Sequence, residues 1–124
     1  MSTFKILMAD DEESVLEIMA RKVSGAGYQV VTAVDGEEAW KKIQTENPDL
    51  IVLDITMPKM DGWQVLEHVR GQHNPKWQPV IIISALNETH NMQKGFDLKA
   101  DHYITKPCRI DEIIKSIRTM IALI

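Results

Sequence analysis

Short runs of consecutive apolar residues alternate along this chain with longer segments in which apolar residues recur every three or four positions. The runs are Ile6-Leu7-Met8-Ala9, Tyr28 to Ala33, Leu50 to Asp54, Val80-Ile81-Ile82-Ile83 and Tyr103-Ile104-Thr105. Their length and β-branched content predict strands. A strand apolar at nearly every position has both faces covered, which is the condition of strands in a parallel sheet packed between helices. The intervening segments supply those helices. Leu16, Met19, Ala20 and Val23 share one side of a first helix, which Asp10 or Asp11 is placed to cap and Gly25 or Gly27 to stop. Asp35 followed by Glu38 has the capping-box spacing and opens a second helix, with Ala39, Trp40 and Ile43 inward, ending before Asn47-Pro48. A third runs from about Trp63 to Arg70 after a loop rich in turn formers, Thr56 to Gly62. The candidate from Asn87 to Leu98 has only Met92 and Phe96 as inward anchors, which predicts the weakest packing of the five. The last, Ile110 to Ile124, carries Ile110, Ile113, Ile117, Met120 and Ile124 as a stripe that Ile114 and Ile121 widen. Five strand-helix units in one domain, residues 1–124, predict an α/β sandwich.

Composition narrows the function classes. The 44% hydrophobic and 26% charged content is ordinary for a globular domain, so neither disorder nor a fibre is expected. A net charge of -4 argues against a general nucleic-acid or anionic-membrane surface. The single Cys108 cannot form an internal disulfide, and no segment is long and apolar enough to span a membrane, so a cytoplasmic protein is expected. His68, His73, His90 and His102 lack the spacing of a transition-metal site. Trp63 and Trp77 are expected to be partly exposed and Trp40 to be core.

What remains is chemistry at the strand ends. Asp54 closes the third run, Asp10 and Asp11 the first, Ser84 the fourth, and Lys106 follows the fifth. Taken singly, the aspartates read as helix caps or turn residues and Ser84 and Lys106 as loop residues. Together they coincide with the place where open parallel sheets bind ligands, beyond the carboxyl ends of the strands. Three carboxylates gathered there repel one another unless a cation intervenes, and hard oxygen donors select Mg²⁺. Such a site lets a carboxylate attack phosphorus, with Lys106, the Ser84 hydroxyl and backbone N–H groups near Thr56 receiving the phosphoryl oxygens.

These residues resemble the receiver domains of two-component response regulators, the CheY-like family, over the whole length. The resemblance rests on Asp10-Asp11, on Asp54 with Met57-Pro58 and Asp61-Gly62 behind it, on Ser84-Ala85, and on Tyr103 with Lys106-Pro107. It implies a flavodoxin-like, doubly wound (βα)5 fold with a five-stranded parallel sheet in the order 2-1-3-4-5. It also implies that Asp54 accepts a phosphoryl group from the phosphohistidine of a sensor histidine kinase or phosphotransfer protein. The metal, Mg²⁺ with Mn²⁺ able to substitute, would be bound by Asp11, Asp54 and the main-chain carbonyl of Thr56, with Asp10 reaching it through water. Lys106 would pair with the phosphoryl group, Ser84 would move to donate to it, and Tyr103 would turn inward. The face formed by the fourth helix, fifth strand and last helix would then change and act on an effector protein or output domain. By the same resemblance the protein promotes its own phosphorylation and dephosphorylation and is not a turnover enzyme, nor does it bind nucleic acid itself.

Cys108 stands where many relatives carry Phe, and Leu86 and Thr56 occupy positions that tune dephosphorylation, the bulky Leu86 implying a long-lived phosphoryl group. Met92, His102 and Ser116 stand where a DNA-binding subgroup carries the charges of its dimer, so a homodimer on phosphorylation is expected to lack those pairs if it forms. The apolar end Ile121-Ala122-Leu123-Ile124 suits a chain that docks a partner or continues into an output domain. Two other readings are weaker. A haloacid-dehalogenase-type phosphohydrolase wants a second aspartate where Thr56 stands, and a receiver-like module that has lost phosphorylation would not keep every site position filled.

Overall fold

The computed structural model describes residues 3–74, 76–85 and 99–124. Its elements are β1 (Lys5–Ala9), α1 (Glu13–Gly25), β2 (Gln29–Ala33), α2 (Gly36–Glu46), β3 (Leu50–Asp54), α3 (Gly62–Gly71), β4 (Val80–Ala85), β5 (His102–Lys106) and α4 (Ile110–Ile121). The five strands form one parallel sheet in the order β2-β1-β3-β4-β5. The helix expected over Asn87–Leu98, with Met92 and Phe96, lies outside the described residues, as does Leu86.

Strand alternation divides the apolar runs between two cores. Leu7, Ala9, Ile51, Leu53, Val80 and Ile82 face one way and pack with Ala39 and Ile43 of α2 and Val65, Leu66 and Val69 of α3. Ile6, Met8, Leu50, Val52, Ile81 and Ile83 face the other and meet Leu16, Met19 and Val23 of α1 and Ile113 and Ile117 of α4. Helices therefore cover both faces, the doubly wound arrangement, and uninterrupted hydrophobicity in β1, β3 and β4 is its direct consequence.

Local signals explain most boundaries. Asp35 accepts the Glu38 N–H at 2.7 Å and so caps α2, but Glu38 turns to Lys42 at 3.2 Å, so only half of the expected capping box forms. The complete box is at α3, where Asp61 and Gln64 exchange bonds of 2.9 Å in both directions. Asn47 ends α2 in the left-handed region at φ 46°, and Gly27 beyond α1 does the same at φ 104°. α4 stops at Ile121, short of the expected Ile124, because its outer turn has no core beneath it: Leu123 and Ile124 are exposed.

At the amino edge of the sheet, Asp49 accepts the Lys5 N–H at 2.7 Å and pairs with Lys76 at 2.8 Å. Burial pushes this carboxyl up, but the Lys5 N–H and the Lys76 ammonium together hold it below its usual value of 3.8. A depressed carboxyl contributes stability that is present above the unfolded value and lost as pH falls through the folded one. Asp49→Asn, which keeps an acceptor for Lys5 but not the charge, should therefore cost about 1 kcal/mol at neutral pH. In urea unfolding measured against pH, that difference should vanish at acid pH; a constant difference would contradict it.

Candidate functional site

Because every strand is parallel, all carboxyl ends emerge on one edge of the sheet. Asp54 is the last residue of β3, Lys106 the last of β5, and Ser84 the next to last of β4. Asp10 directly follows β1 and extends its pairing through an N–H bond of 3.1 Å to the Ala33 carbonyl. Alternation fixes which side each serves. Asp10, Asp54 and Lys106 fall in phase with Met8, Val52 and Ile104, whereas Ser84 and Tyr103 fall in phase with Ile82 and its register neighbour.

The expected caps at Asp10 or Asp11 do not occur. α1 begins at Glu13 with Glu12 as its cap residue, and the Asp10 carboxylate instead accepts the Glu12 N–H at 2.9 Å while the chain turns. That bond aims Asp10 across the sheet edge. Carboxylate oxygens of Asp10, Asp11 and Asp54 lie within 4.8 Å of one another; Asp10 and Asp54 are only 3% and 6% exposed, and Asp11 is open to solvent. Lys106 lies 2.7 Å from Asp54 Oδ2 and 3.9 Å from Asp10 Oδ2, and the Thr56 N–H reaches Asp54 Oδ1 at 3.3 Å. Ser84 is buried, its hydroxyl 3.5 Å from the Ala85 carbonyl oxygen.

The electrostatics follow from this crowding. Burial pushes the Asp54 carboxyl above its ordinary value and Asp10 adds to the rise, against the opposing pull of Lys106 and the Thr56 N–H. For Lys106 burial works downward, but the Asp54 hydrogen bond and the charges of Asp54, Asp10 and Glu12 outweigh it and raise the amine. Burial, with Glu112, raises the Cys108 thiol, which keeps it protonated and unreactive. Three carboxyl groups facing one ammonium, with oxygen-only donors, fit a hard divalent cation such as Mg²⁺.

Two neighbours of Asp54 differ from what the sequence predicts. Gly62, read as a turn former, donates to the Ile55 carbonyl at 2.9 Å, and a methyl group on it would stand 2.5 Å from the Asp54 carbonyl oxygen. Trp63, expected to be partly exposed, is 4% exposed, because the close approach of Gly62 carries the start of α3 into the core. Trp77 is exposed as expected, and Trp40, expected in the core, is only partly buried and stacks on His68. Beside Asp10 and Lys106 a cleft of about 590 Å³ opens between α1 and α4, walled by Val15, Ile18, Met19, Cys108 and Ile110.

Residues 6–118 match the response regulator receiver domain. The chain belongs to that family. It is 41% identical over 117 residues to the alkaline phosphatase synthesis transcriptional regulatory protein PhoP of Bacillus subtilis (strain 168), covering 94% of this chain and 48% of PhoP. The receiver domain thus spans about half the length of such curated relatives. Among solved structures, the receiver domain of Francisella response regulator 1452 is 38% identical with a TM-score of 0.85, covering 94% of this chain and 95% of that one. The Vibrio cholerae chemotaxis protein CheY4 is 30% identical with a TM-score of 0.87, covering 95% and 98%. The expected family, flavodoxin-like fold and strand order are therefore those observed, and the chain is a receiver domain of two-component signalling. Among the described residues no helix is long and apolar enough to cross a membrane.

Proposed function

We propose that Asp54 accepts a phosphoryl group from the phosphohistidine of a sensor histidine kinase or phosphotransfer protein, and that its phosphorylated state acts on an effector protein or output domain. The observation that carries this reading is the placement of Asp54 between an acidic cluster and an ammonium 2.7 Å away. An Asp54 carboxylate oxygen attacks phosphorus as the P–N bond breaks, and the electron pair departs with the imidazole nitrogen, the ring leaving as neutral imidazole because its other nitrogen carries the proton. Lys106 turns from the carboxylate to the new phosphoryl oxygens, which its half-exposed, flexible side chain permits. The Thr56 N–H, already directed at Asp54, takes a second oxygen, and Ser84 a third. Mg²⁺, or Mn²⁺ in its place, held by Asp11, Asp54 and the main-chain carbonyl of Thr56 and reached by Asp10 through water, would supply charge neutralisation for the transferred group. The cleft edged by Val15 and Ile18 offers the donor an apolar footing next to the acceptor. Ser84 and Tyr103 form the switch, and a kinase partner places the protein in the cytoplasm.

The test uses acetyl phosphate as donor, with Mg²⁺ or with EDTA, followed by intact mass and peptide mapping. One phosphoryl group on the Asp54 peptide, formed only with Mg²⁺, is the expected result. An unmodified protein, as a receiver-like interaction module would give, or a label on another residue, overturns the proposal.

A further inference from the structure

Ser84 offers one route from the acceptor to the outer edge of the sheet, through β4. The start of α3 offers another. Gly62 is bonded to the Ile55 carbonyl at 2.9 Å and leaves no room for even a methyl group against the Asp54 carbonyl, so the main chain of Asp54–Ile55 and the first turn of α3 move together or not at all. The Asp61–Gln64 box stiffens that turn. The next residue, Trp63, is buried in the core, and its ring stacks on Tyr103 with centroids 6.4 Å apart and planes 23° from parallel. This lies within the range in which aromatic pairs attract. Tyr103 is half-buried on β5, the edge strand, where the interior meets the surface.

We infer that Trp63 is a positioning residue for Tyr103, carrying displacement of the Asp54–Ile55 main chain through Gly62 to the edge of the sheet without passing through Ser84. The inference rests on Asp54 as acceptor. A large indole suits this role because it is rigid and held on the core side, so a shift at its backbone reaches the tyrosine as a shift of the stacked ring instead of being absorbed by rotamer changes. Position between two sites is not itself coupling, so the test must measure the response of Tyr103.

The protein has two tyrosines, Tyr28 and Tyr103, which makes fluorotyrosine labelling and ¹⁹F NMR direct. With Mg²⁺ and beryllofluoride as phosphoryl mimic, the Tyr103 resonance of the wild type should shift while Tyr28 serves as the reference. In Trp63→Leu the response should fall by a factor of about two or more, with Trp63→Phe restoring much of it and acetyl phosphate labelling of Asp54 unchanged. A Tyr103 response in Trp63→Leu equal to that of the wild type overturns the inference; should that variant not fold, Trp63→Met decides by the same criterion. Failure of the wild type to label at Asp54 would instead strike the acceptor reading, so the two failures are distinct.

Discussion

Asp54→Asn is expected to take up no phosphoryl group from acetyl phosphate under conditions in which the wild type is labelled. The amide keeps the size of the side chain and an oxygen for the Thr56 N–H, so the fold and the neighbouring hydrogen bond survive while the carboxylate proposed as nucleophile is lost. A second consequence concerns the cation. A ligand present at a hundred times its dissociation constant stabilises the folded state by about 2.7 kcal/mol, and removing one of three clustered carboxylates should erase most of that gain in Mg²⁺. A third concerns pH. Since burial raises the Asp54 carboxyl, at pH between the unfolded value and the folded one the folded state holds a proton that the unfolded chain has released. Stability from this group is therefore fully present below the unfolded value of 3.8 and is lost as pH rises through the folded value. The metal-free Asn variant lacks that loss, so its stability should fall less across the same interval. Equal covalent labelling of the variant and the wild type would sink the assignment of Asp54.

How far such a site was visible beforehand depends on what kind of interaction made it. β3 was bounded to the residue, Leu50–Asp54, since a central strand buried on both faces has to be apolar until the point where it leaves the core. The two-core division follows from the same runs once alternation is applied to them. Asp10 shows the opposite. A carboxylate ahead of a helix looks the same in sequence whether it caps that helix or turns toward a neighbouring strand, and only the position of Asp54 and Lys106 across the sheet settles it. Helix ends were blurred for a related reason: the apolar stripe of α4 continues to Ile124, but Leu123 and Ile124 have no facing layer.

Contacts between main chains left no local trace. The buried state of Trp63 depends on a glycine touching a carbonyl eight residues earlier, and nothing in an Asp-Gly pair distinguishes an open turn from such a contact. The Tyr103 stack depends in turn on that burial, so the sequence points to Tyr103 as a switch only through resemblance and predicts partial exposure for its partner Trp63.

Gly36→Ala should show how strongly main-chain contacts of this kind bind the site together. A methyl group at Gly36 would stand 1.6 Å from the Met60 carbonyl oxygen and 2.4 Å from its carbon, and backbone cannot swing aside as a side-chain tip does. The first turn of α2 is held to the same loop by the Gly36 N–H on the Pro58 carbonyl at 3.4 Å and by Lys59 beside Asp35 at 3.6 Å. Forcing these apart should cost about 3 kcal/mol, lowering Tm by roughly 10 °C for a chain of this size. Gly71→Ala is the control: it lies at the end of α3 with nothing within 4 Å of an added methyl group, so there alanine should be neutral or stabilising. The loop that must yield at Gly36 is the one between Thr56 and Asp61, which carries both the Thr56 N–H on Asp54 and the cap of α3. Any relaxation of the clash therefore disturbs Asp54. Well below its melting temperature, Gly36→Ala should bind Mg²⁺ more weakly than the wild type, whereas Gly71→Ala should not. Unchanged stability and metal affinity in Gly36→Ala would mean that the loop yields freely despite its close packing at Met60, and would contradict this prediction.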